Sequence, residues 1–333
     1  MPRRTKRARS PVPEMPSFHK ALLLYNPKAG GAHRMQESSL RGVAAIFRAA
    51  GVEVELEPTR APGAGGQQAK EGITRGFDAI FACGGDGTVY DVLQGMVHGP
   101  ETVALGVLPL GTANVLASDL GLSPELPAAA RAVLDYAPRR VAAGKLVWAA
   151  GQPTYFSVAA GIGAHAGLIY DATARSKQHG GFATYYVAGF ARLFLHDFVP
   201  FTAEITLPDG EVRREEVLEV VAMRVSSFGK WLSRWRPGGR LDCDYLQLVT
   251  LKPCSRLAMF RYALYALARG QVPESVSRAA NVEFIRAVRV RCRAMAGTAM
   301  VRIRAQADGE VLDGIPAEIA IVPKALTLLM PPR

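Results

Sequence analysis

The sequence is poor in the features that mark secreted, zinc-binding and membrane-spanning proteins. It has 4 cysteines in 333 residues, and no two of them form a Cys-x-x-Cys pair, which argues against a zinc site and suits a reducing cytosol. No stretch approaches about eighteen consecutive apolar residues, so no membrane-spanning helix is expected. No apolar segment follows the basic N-terminus, so a secretory signal is not expected either.

Acidic residues are the minority among the charged residues. The chain has 40 Lys and Arg against 29 Asp and Glu, a net charge of +11. This balance favours an anionic partner, which could be a nucleotide, a nucleic acid or an anionic membrane. Part of the excess lies in residues 1–18, where five basic residues crowd beside four prolines, and we predict a disordered basic tail there.

Apolar runs and helical patterns alternate from about residue 20 to residue 140. Ala21–Tyr25, Ala79–Cys83 and Val103–Leu108 are continuously apolar, and each is followed by a glycine-bearing turn and then a helical pattern. We expect Thr112 to open the third of these helices as its N-cap. The alternation predicts an α/β domain with a parallel sheet, and ligands of such sheets lie at the carboxyl ends of the strands.

The pattern changes after Gly144. Short strand-like runs separated by turns such as Pro208-Asp209-Gly210 fill most of the remaining sequence, with helical patterns at about 182–195 and 255–269. Leu241–Leu251 and Val217–Val225 are each read as one strand. This part predicts a mostly antiparallel second domain, a β-sandwich.

The turn Gly84-Gly85-Asp86-Gly87-Thr88 has the character of a phosphate site. Its glycines allow the main chain to approach an anion, and the N–H groups at the start of the following helix point toward it. The Asp86 carboxylate would repel phosphates unless a cation stood between them, so the turn suggests a nucleotide with a divalent metal. The alternative is a structural turn in which Asp86 caps the next helix.

Three motifs together resemble the catalytic domain of the diacylglycerol kinase family, which includes bacterial lipid kinases and the sphingosine and ceramide kinases. They are Asn26-Pro27-Lys28-Ala29-Gly30, the Gly84–Thr88 turn and Leu108-Pro109-Leu110-Gly111-Thr112-Ala113-Asn114. The resemblance implies an ATP-dependent lipid kinase with ATP between two domains. It implies a nucleotide-binding domain over residues 19–142, to which residues 323–333 return, and a lipid-substrate domain over 143–322.

The resemblance also implies functions for particular residues. The residues that would line the nucleotide are Asn26, Pro27, Lys28, Ala29, Gly30, Thr59, Gly84, Gly85, Asp86, Gly87, Thr88, Val89, Tyr90 and Thr112. Leu241–Leu246 matches a metal-holding loop, in which Asp244 would offer its carboxylate and Leu241 and Leu246 their carbonyls to Mg²⁺. Catalytic roles would fall to Asp86, Asp308 and Glu310, with the general base either Asp308 or Glu310.

Alternative functions stay open because the sequence departs from the motifs of the family at several positions. Tyr90-Asp91 stands where the family usually shows Asn-Glu, Val115 where it shows Asp, and Tyr245 where a glycine is common. One alternative is an NAD kinase-like enzyme, and the other is a nucleotide-binding, membrane-associated regulator with weakened catalysis. Asp308-Gly309 could also be an ordinary hairpin turn.

Two tryptophans lie among basic residues just before the predicted metal loop. Trp231 and Trp235 are interleaved with Lys230, Arg234 and Arg236. Tryptophan favours the headgroup level of a membrane and basic residues favour anionic lipid, so we predict a peripheral docking loop on a cytoplasmic protein. The alternative places a tryptophan in the core. No nucleic-acid module is recognised, and the sequence leaves the oligomeric state open, a dimer included.

Overall fold

The computed structural model describes residues 16–27, 33–149, 151–163, 199–226, 238–269, 272–295 and 303–332. Lys28, Ala29, Gly30, the helical pattern at 182–195, Trp231 and Trp235 lie outside the described residues, as does the predicted tail up to residue 15. No helix of the described ranges is long and apolar enough to cross a membrane.

The first half of the chain forms alternating strands and helices. They are β1 (Lys20–Tyr25), α1 (His33–Ala49), β2 (Glu53–Pro58), α2 (Gly65–Thr74), β3 (Ala79–Gly84), α3 (Asp86–Met96), β4 (Ala104–Pro109), α4 (Val115–Asp119) and α5 (Leu126–Leu134). The four strands are parallel and lie in the order β2-β1-β3-β4. Every residue of β3 and β4 is buried, as expected for parallel strands covered by helices on both faces.

The second half consists mainly of antiparallel strands. They are β5 (Ala137–Trp148), β6 (Thr154–Phe156), β7 (Ala159–Gly163), β8 (Phe201–Thr206), β9 (Val212–Val217), β10 (Glu219–Met223), β11 (Leu246–Leu251), β12 (Val282–Ala287), β13 (Arg289–Ala294), β14 (Ala305–Ala307), β15 (Glu310–Leu312) and β16 (Ala317–Met330). Two helices, α6 (Arg256–Arg269) and α7 (Glu274–Ala279), precede β12.

Two sheets pack against each other around the hydrophobic core of the second half of the chain. In the described residues one sheet has the order β12-β11-β10-β7-β14-β15 and is antiparallel throughout. The other continues the parallel sheet: β16 pairs parallel with β4 near its end and antiparallel with β5 and β13. The predicted fold class, an α/β domain with a parallel sheet followed by an antiparallel β-sandwich, is confirmed.

The structure corrects three local predictions. Phe18 was assigned to the disordered tail, but it is only 1% exposed. Its ring centre lies 5.7 Å from that of Phe47 and 5.3 Å from that of Phe81, and burial of this aromatic ring stabilises the core. The predicted strand over 217–225 is two strands in different sheets, β9 and β10, with Leu218 between them. The predicted strand from Leu241 begins only at Leu246, because a turn occupies 241–245.

The helix after β4 also begins later than predicted. Asn114 has a φ of +48°, in the left-handed region, and its side chain bonds back to Gly111: Oδ1 accepts from the Gly111 N–H at 2.9 Å and Nδ2 donates to its carbonyl at 2.7 Å. This clamp keeps residues 111–114 out of the helix, so α4 starts at Val115 and Thr112 is an exposed turn residue. The expectation that Thr112 caps the helix is wrong.

Candidate active site

The carboxyl ends of the four parallel strands meet at one edge of the sheet. Tyr25 at the end of β1 pairs with Pro58 and Cys83, and Gly84 pairs with Pro109. The Thr59 N–H donates to the Tyr25 carbonyl at 2.8 Å, and the Leu110 N–H donates to the Gly84 carbonyl at 2.9 Å. The residues just beyond these ends include several that were predicted to line a nucleotide. They are Asn26, Pro27, Thr59, Gly84, Gly85, Asp86, Gly87, Thr88 and Thr112.

Two glycine turns pack against each other at this edge. A Cβ added to Gly111 would lie 2.4 Å from the Gly85 Cα, and one added to Gly84 would lie 2.2 Å from the Thr88 Oγ1. No side chain fits at either position without a shift of the main chain. The turn after β3 and the turn after β4 are therefore in contact backbone to backbone, which only glycine allows.

Helix α3 starts directly at the first of these glycine turns. Gly85 is its N-cap and provides no side-chain cap, and the Gly85 carbonyl already accepts from the N–H groups of Thr88 and Val89 at 3.0 and 3.1 Å. The N–H groups of Asp86 and Gly87 are those that a helix leaves without internal partners. Together with the helix dipole they create a positive potential suited to an anion.

Asp86 links the two turns. Its Oδ1 accepts from the Val115 N–H at 2.7 Å, so the carboxylate caps α4 rather than the helix that it begins. Burial raises the pKa of Asp86, while the bond from the Val115 backbone opposes this rise. The alternative prediction is that Asp86 caps the helix that follows it. Asp86 does cap a helix, but that helix is α4 and not α3.

Asp308, at the turn between β14 and β15, is an anchor for the loop before β7. Its Oδ2 accepts from the N–H and Oγ of Ser157 at 2.8 and 3.2 Å, and its Oδ1 accepts from the N–H groups of Val158 and Ala159, both at 2.9 Å. Burial raises the pKa of Asp308 to about 6, although these backbone bonds lower it. With both oxygens engaged by four donors, Asp308 is poorly placed to take a proton from a substrate.

Glu310, two residues further on, faces the glycine turn instead. Its Oε1 lies 3.7 Å from the position that a Cβ on Gly87 would take, so this carboxylate of the β14–β15 hairpin lies close to the start of α3. Loss of surrounding water raises the pKa of Glu310, and the negative charge of Asp91 adds to the rise. A carboxylate with a raised pKa at such a place is suited to accept a proton.

The different surroundings of Asp308 and Glu310 give a first testable prediction. Asp308→Asn should lower the free energy of unfolding by about 1–3 kcal/mol, because the amide NH₂ cannot accept the backbone N–H groups that the lost oxygen served. Urea unfolding measures this difference. Asp313→Asn, which changes an exposed carboxylate just after the hairpin, is the control and should unfold like the wild type. Equal stability of Asp308→Asn and the wild type would contradict the anchoring role.

Sequence reasoning missed the residues that join α3 to β6. The Gln94 Nε2 donates to the Tyr155 carbonyl at 2.8 Å, and its Oε1 accepts from the Tyr155 N–H at 3.0 Å. The side-chain amide thus pairs with the main chain of β6 as a neighbouring strand would. One turn earlier the Tyr90 hydroxyl lies 2.6 Å from the Thr154 Oγ1, so this side chain contacts β6. The spacing of four residues between Tyr90 and Gln94 places both on one face of α3, and this spacing was the available signal.

The predicted metal loop does not have the surroundings of a Mg²⁺ site. The Leu241 carbonyl, one of the proposed ligands, accepts a hydrogen bond from the guanidinium of Arg224 at 2.7 Å. Asp244 is exposed, and the side chain of Leu246 is buried in β11. Within the described ranges no three His, Cys, Asp or Glu residues cluster so that they could hold a metal. The donor set of Leu241, Asp244 and Leu246 therefore does not fit the ion.

Comparisons with known proteins agree with the fold and with the three motifs. Residues 20–146 match the model of the diacylglycerol kinase catalytic domain, and residues 156–330 match the YegS C-terminal NAD kinase beta sandwich-like domain. The diacylglycerol kinase of Bacillus subtilis is 28% identical over 313 residues, which are 94% of this chain and 96% of that protein. The diacylglycerol kinase of Staphylococcus haemolyticus is 23% identical over 311 residues, 93% of this chain and 88% of that protein.

A solved structure has the same fold. The crystal structure of a diacylglycerol kinase from Bacillus anthracis superposes with a TM-score of 0.71 over 95% of this chain and 98% of that chain, at 21% identity. The YegS-type model alone spans more than half of the sequence, and the catalytic-domain model covers most of the part before it. The chain therefore belongs to the diacylglycerol kinase family that combines these two domains.

Proposed function

We propose that this protein is an ATP-dependent lipid kinase, which transfers the γ-phosphoryl group of ATP to the hydroxyl of a diacylglycerol-like or sphingoid lipid. The observation that carries the proposal is the position of Glu310, close to the main chain at the start of α3. A proton acceptor beside a phosphate-binding turn is what phosphoryl transfer to an alcohol requires. Family membership supports the choice of a lipid as the acceptor.

The nucleotide would lie along the edge formed by the strand ends. Glycine main chain at Gly84, Gly85 and Gly111 leaves room for phosphates, and the free N–H groups at the start of α3 would bind them. Asn26, Thr59 and Thr112 lie at the neighbouring strand ends. Lys28, Ala29 and Gly30 would complete the site from the turn after β1, which lies outside the described residues.

Mg²⁺ would reach this site together with ATP. It binds proteins through one or two carboxylates plus substrate phosphates and keeps several waters. Asp86 is the carboxylate at the glycine turn, and it would face the hydrated ion while its Oδ1 caps α4. Bound there, the ion would neutralise charge on the phosphates.

The proposed chemistry assigns separate roles to the two carboxylates of the β14–β15 hairpin. Glu310 would accept the proton of the lipid hydroxyl as its oxygen forms a bond to the γ-phosphorus and the bond to the β,γ-bridging oxygen breaks, releasing ADP. Asp308 would position Glu310 indirectly, because its four bonds fix the hairpin against residues 157–159. The sequence left open whether Asp308 or Glu310 is the base, and we propose Glu310.

Membrane docking through Trp231 and Trp235 stays a prediction, since both lie outside the described residues. Replacing both with Ala should weaken co-sedimentation with anionic vesicles and raise the apparent KM for lipid, while ATP affinity stays unchanged. Added salt should weaken binding too, because charges are screened over about 8 Å at physiological ionic strength. Trp148→Phe, in β5, is the control. Unaltered co-sedimentation of the double variant would assign these tryptophans to the core.

A screen of acceptors tests the proposed function directly. Purified protein is incubated with ATP carrying a labelled γ-phosphate and, separately, with diacylglycerol, monoacylglycerol, sphingosine, ceramide or undecaprenol in mixed vesicles, and products are separated by thin-layer chromatography. We expect a labelled lipid with at least one acceptor. Binding of ATP without labelling of any lipid would support the regulator instead.

A further inference from the structure

Arg224 is a buried cation at the centre of the 241–245 loop. It directly follows β10, and its side chain is fully buried. One terminal nitrogen, Nη1, donates to the carbonyls of Cys243 and Tyr245 at 2.7 and 2.8 Å. The other, Nη2, donates to the carbonyls of Leu241 and Ala142 at 2.7 and 3.1 Å. All four terminal N–H groups thus have a carbonyl partner, and only Nε lacks one in the described part of the chain.

This arrangement satisfies a charge that would otherwise be costly to bury. A guanidinium remains protonated at neutral pH even where burial lowers its pKa, and here burial lowers the pKa of Arg224 to about 10. Its positive charge is balanced by four carbonyl dipoles that converge on it. Three of the carbonyls belong to alternate residues of the 241–245 loop, namely Leu241, Cys243 and Tyr245. The main chain of this loop therefore curves around the guanidinium.

The fourth carbonyl extends the contact to another element. Ala142 lies in β5, the strand that pairs with β16 and leads from the first domain into the second. One guanidinium therefore fixes the loop before β11 to β5. Elsewhere in the loop, Asp242 accepts from Arg240 at 2.9 Å, and the Arg286 guanidinium lies 5.1 Å from the centre of the Tyr245 ring. Asp244 is exposed.

A divalent cation in the same loop would conflict with this geometry. Mg²⁺ requires about six oxygen ligands at roughly 2.0–2.1 Å, and the Leu241 carbonyl already accepts from Arg224. An ion close enough to use this oxygen would lie a few ångströms from a guanidinium, and the two positive charges would repel each other strongly in a buried place. The guanidinium of Arg224 already occupies this position.

We propose that the guanidinium of Arg224 takes the place of a divalent cation in the 241–246 loop, so that the loop and its junction with β5 are held without metal. The inference concerns a site separate from the glycine turn where Mg²⁺ would accompany ATP, and it does not depend on the proposed function. It replaces the prediction that Leu241, Asp244 and Leu246 form a metal site.

Metal binding by the nucleotide-free wild-type protein tests this proposal. We expect a Mn²⁺ titration followed by electron paramagnetic resonance to give the same isotherm for the wild type and for Asp244→Asn, and the Tm to be the same within about 1 °C in EDTA and in millimolar Mg²⁺. Mn²⁺ bound elsewhere would appear equally in both proteins and leaves the proposal standing. A submillimolar Mn²⁺ site that Asp244→Asn removes would overturn it.

Variants of Arg224 test the structural half of the proposal. Arg224→Met keeps an unbranched apolar side chain but leaves four carbonyls without a donor, so its Tm should fall by about 5 °C or more. Arg224→Lys keeps the charge and should lose less. A Tm of Arg224→Met equal to that of the wild type would overturn the role of the guanidinium. If the variant fails to fold, the wild-type Mn²⁺ and EDTA measurements decide the question.

Discussion

Glu310→Gln should phosphorylate lipid about a hundred- to ten-thousandfold more slowly than the wild type, while its affinity for ATP stays within a few-fold. The variant keeps the size of the side chain and removes the oxygen that would accept the hydroxyl proton, and a general base contributes a factor of about this size. Initial rates of lipid phosphorylation and equilibrium binding of ATP measure the two quantities. Because Glu310, unlike Asp308, makes no anchoring hydrogen bond within the described part of the chain, the Tm should not change.

The pH dependence should identify Glu310 further. Protonation of a base stops catalysis, and since the pKa of Glu310 is raised, the wild-type rate should fall as the pH drops through a value above that of an ordinary glutamate. The residual rate of Glu310→Gln should not show this fall at low pH, which is the acidic limb of the pH profile. Asp313→Asn, whose carboxylate is exposed three residues away, should keep both the rate and the limb. Wild-type turnover in Glu310→Gln would place the base elsewhere, with Asp91 the next candidate.

Asp86→Asn should lower turnover by roughly a hundredfold or more, the scale expected when one preorganised electrostatic contact is removed. Its stability should be nearly that of the wild type, because the amide oxygen of Asn can still accept from the Val115 N–H that caps α4. Turnover and urea unfolding of the purified variant measure both effects.

Asp86→Ala separates the charge of Asp86 from its capping role. It should lose as much activity as Asp86→Asn and about 1 kcal/mol of stability in addition, since Ala cannot cap. If Asp86→Asn turned over at the wild-type rate while Asp86→Ala only lost stability, Asp86 would be a capping residue and nothing more.

Local patterns predicted the parallel sheet well. Continuous apolar runs such as Ala79–Gly84 are dictated by burial on both faces, and the glycine turns after them follow from close backbone packing. Where a single side chain redirects the chain, local patterns failed. Asn114 folds back on Gly111 and delays α4, which a preference for Thr at N-caps could not reveal.

Roles set by partners far along the chain could not be predicted. Asp308 accepts from residues about 150 positions earlier, and this contact, absent from any local pattern, gives it surroundings different from those of Glu310. Arg224 is similar: its sequence neighbours do not indicate that carbonyls of Ala142 and Leu241 would surround it. In both cases the residue type was visible in the sequence, and its environment was a product of tertiary packing.

The most direct test of the central claim is to find where the labelled phosphate goes when both classes of acceptor compete. Wild-type protein is given γ-labelled ATP, Mg²⁺, NAD⁺ and vesicles that contain a lipid accepted in the screen, and the organic and aqueous products are then resolved. A lipid kinase with Glu310 as its base predicts label in the organic phase, lost in Glu310→Gln. Label in NADP⁺, or equal lipid labelling by the two proteins, would contradict it.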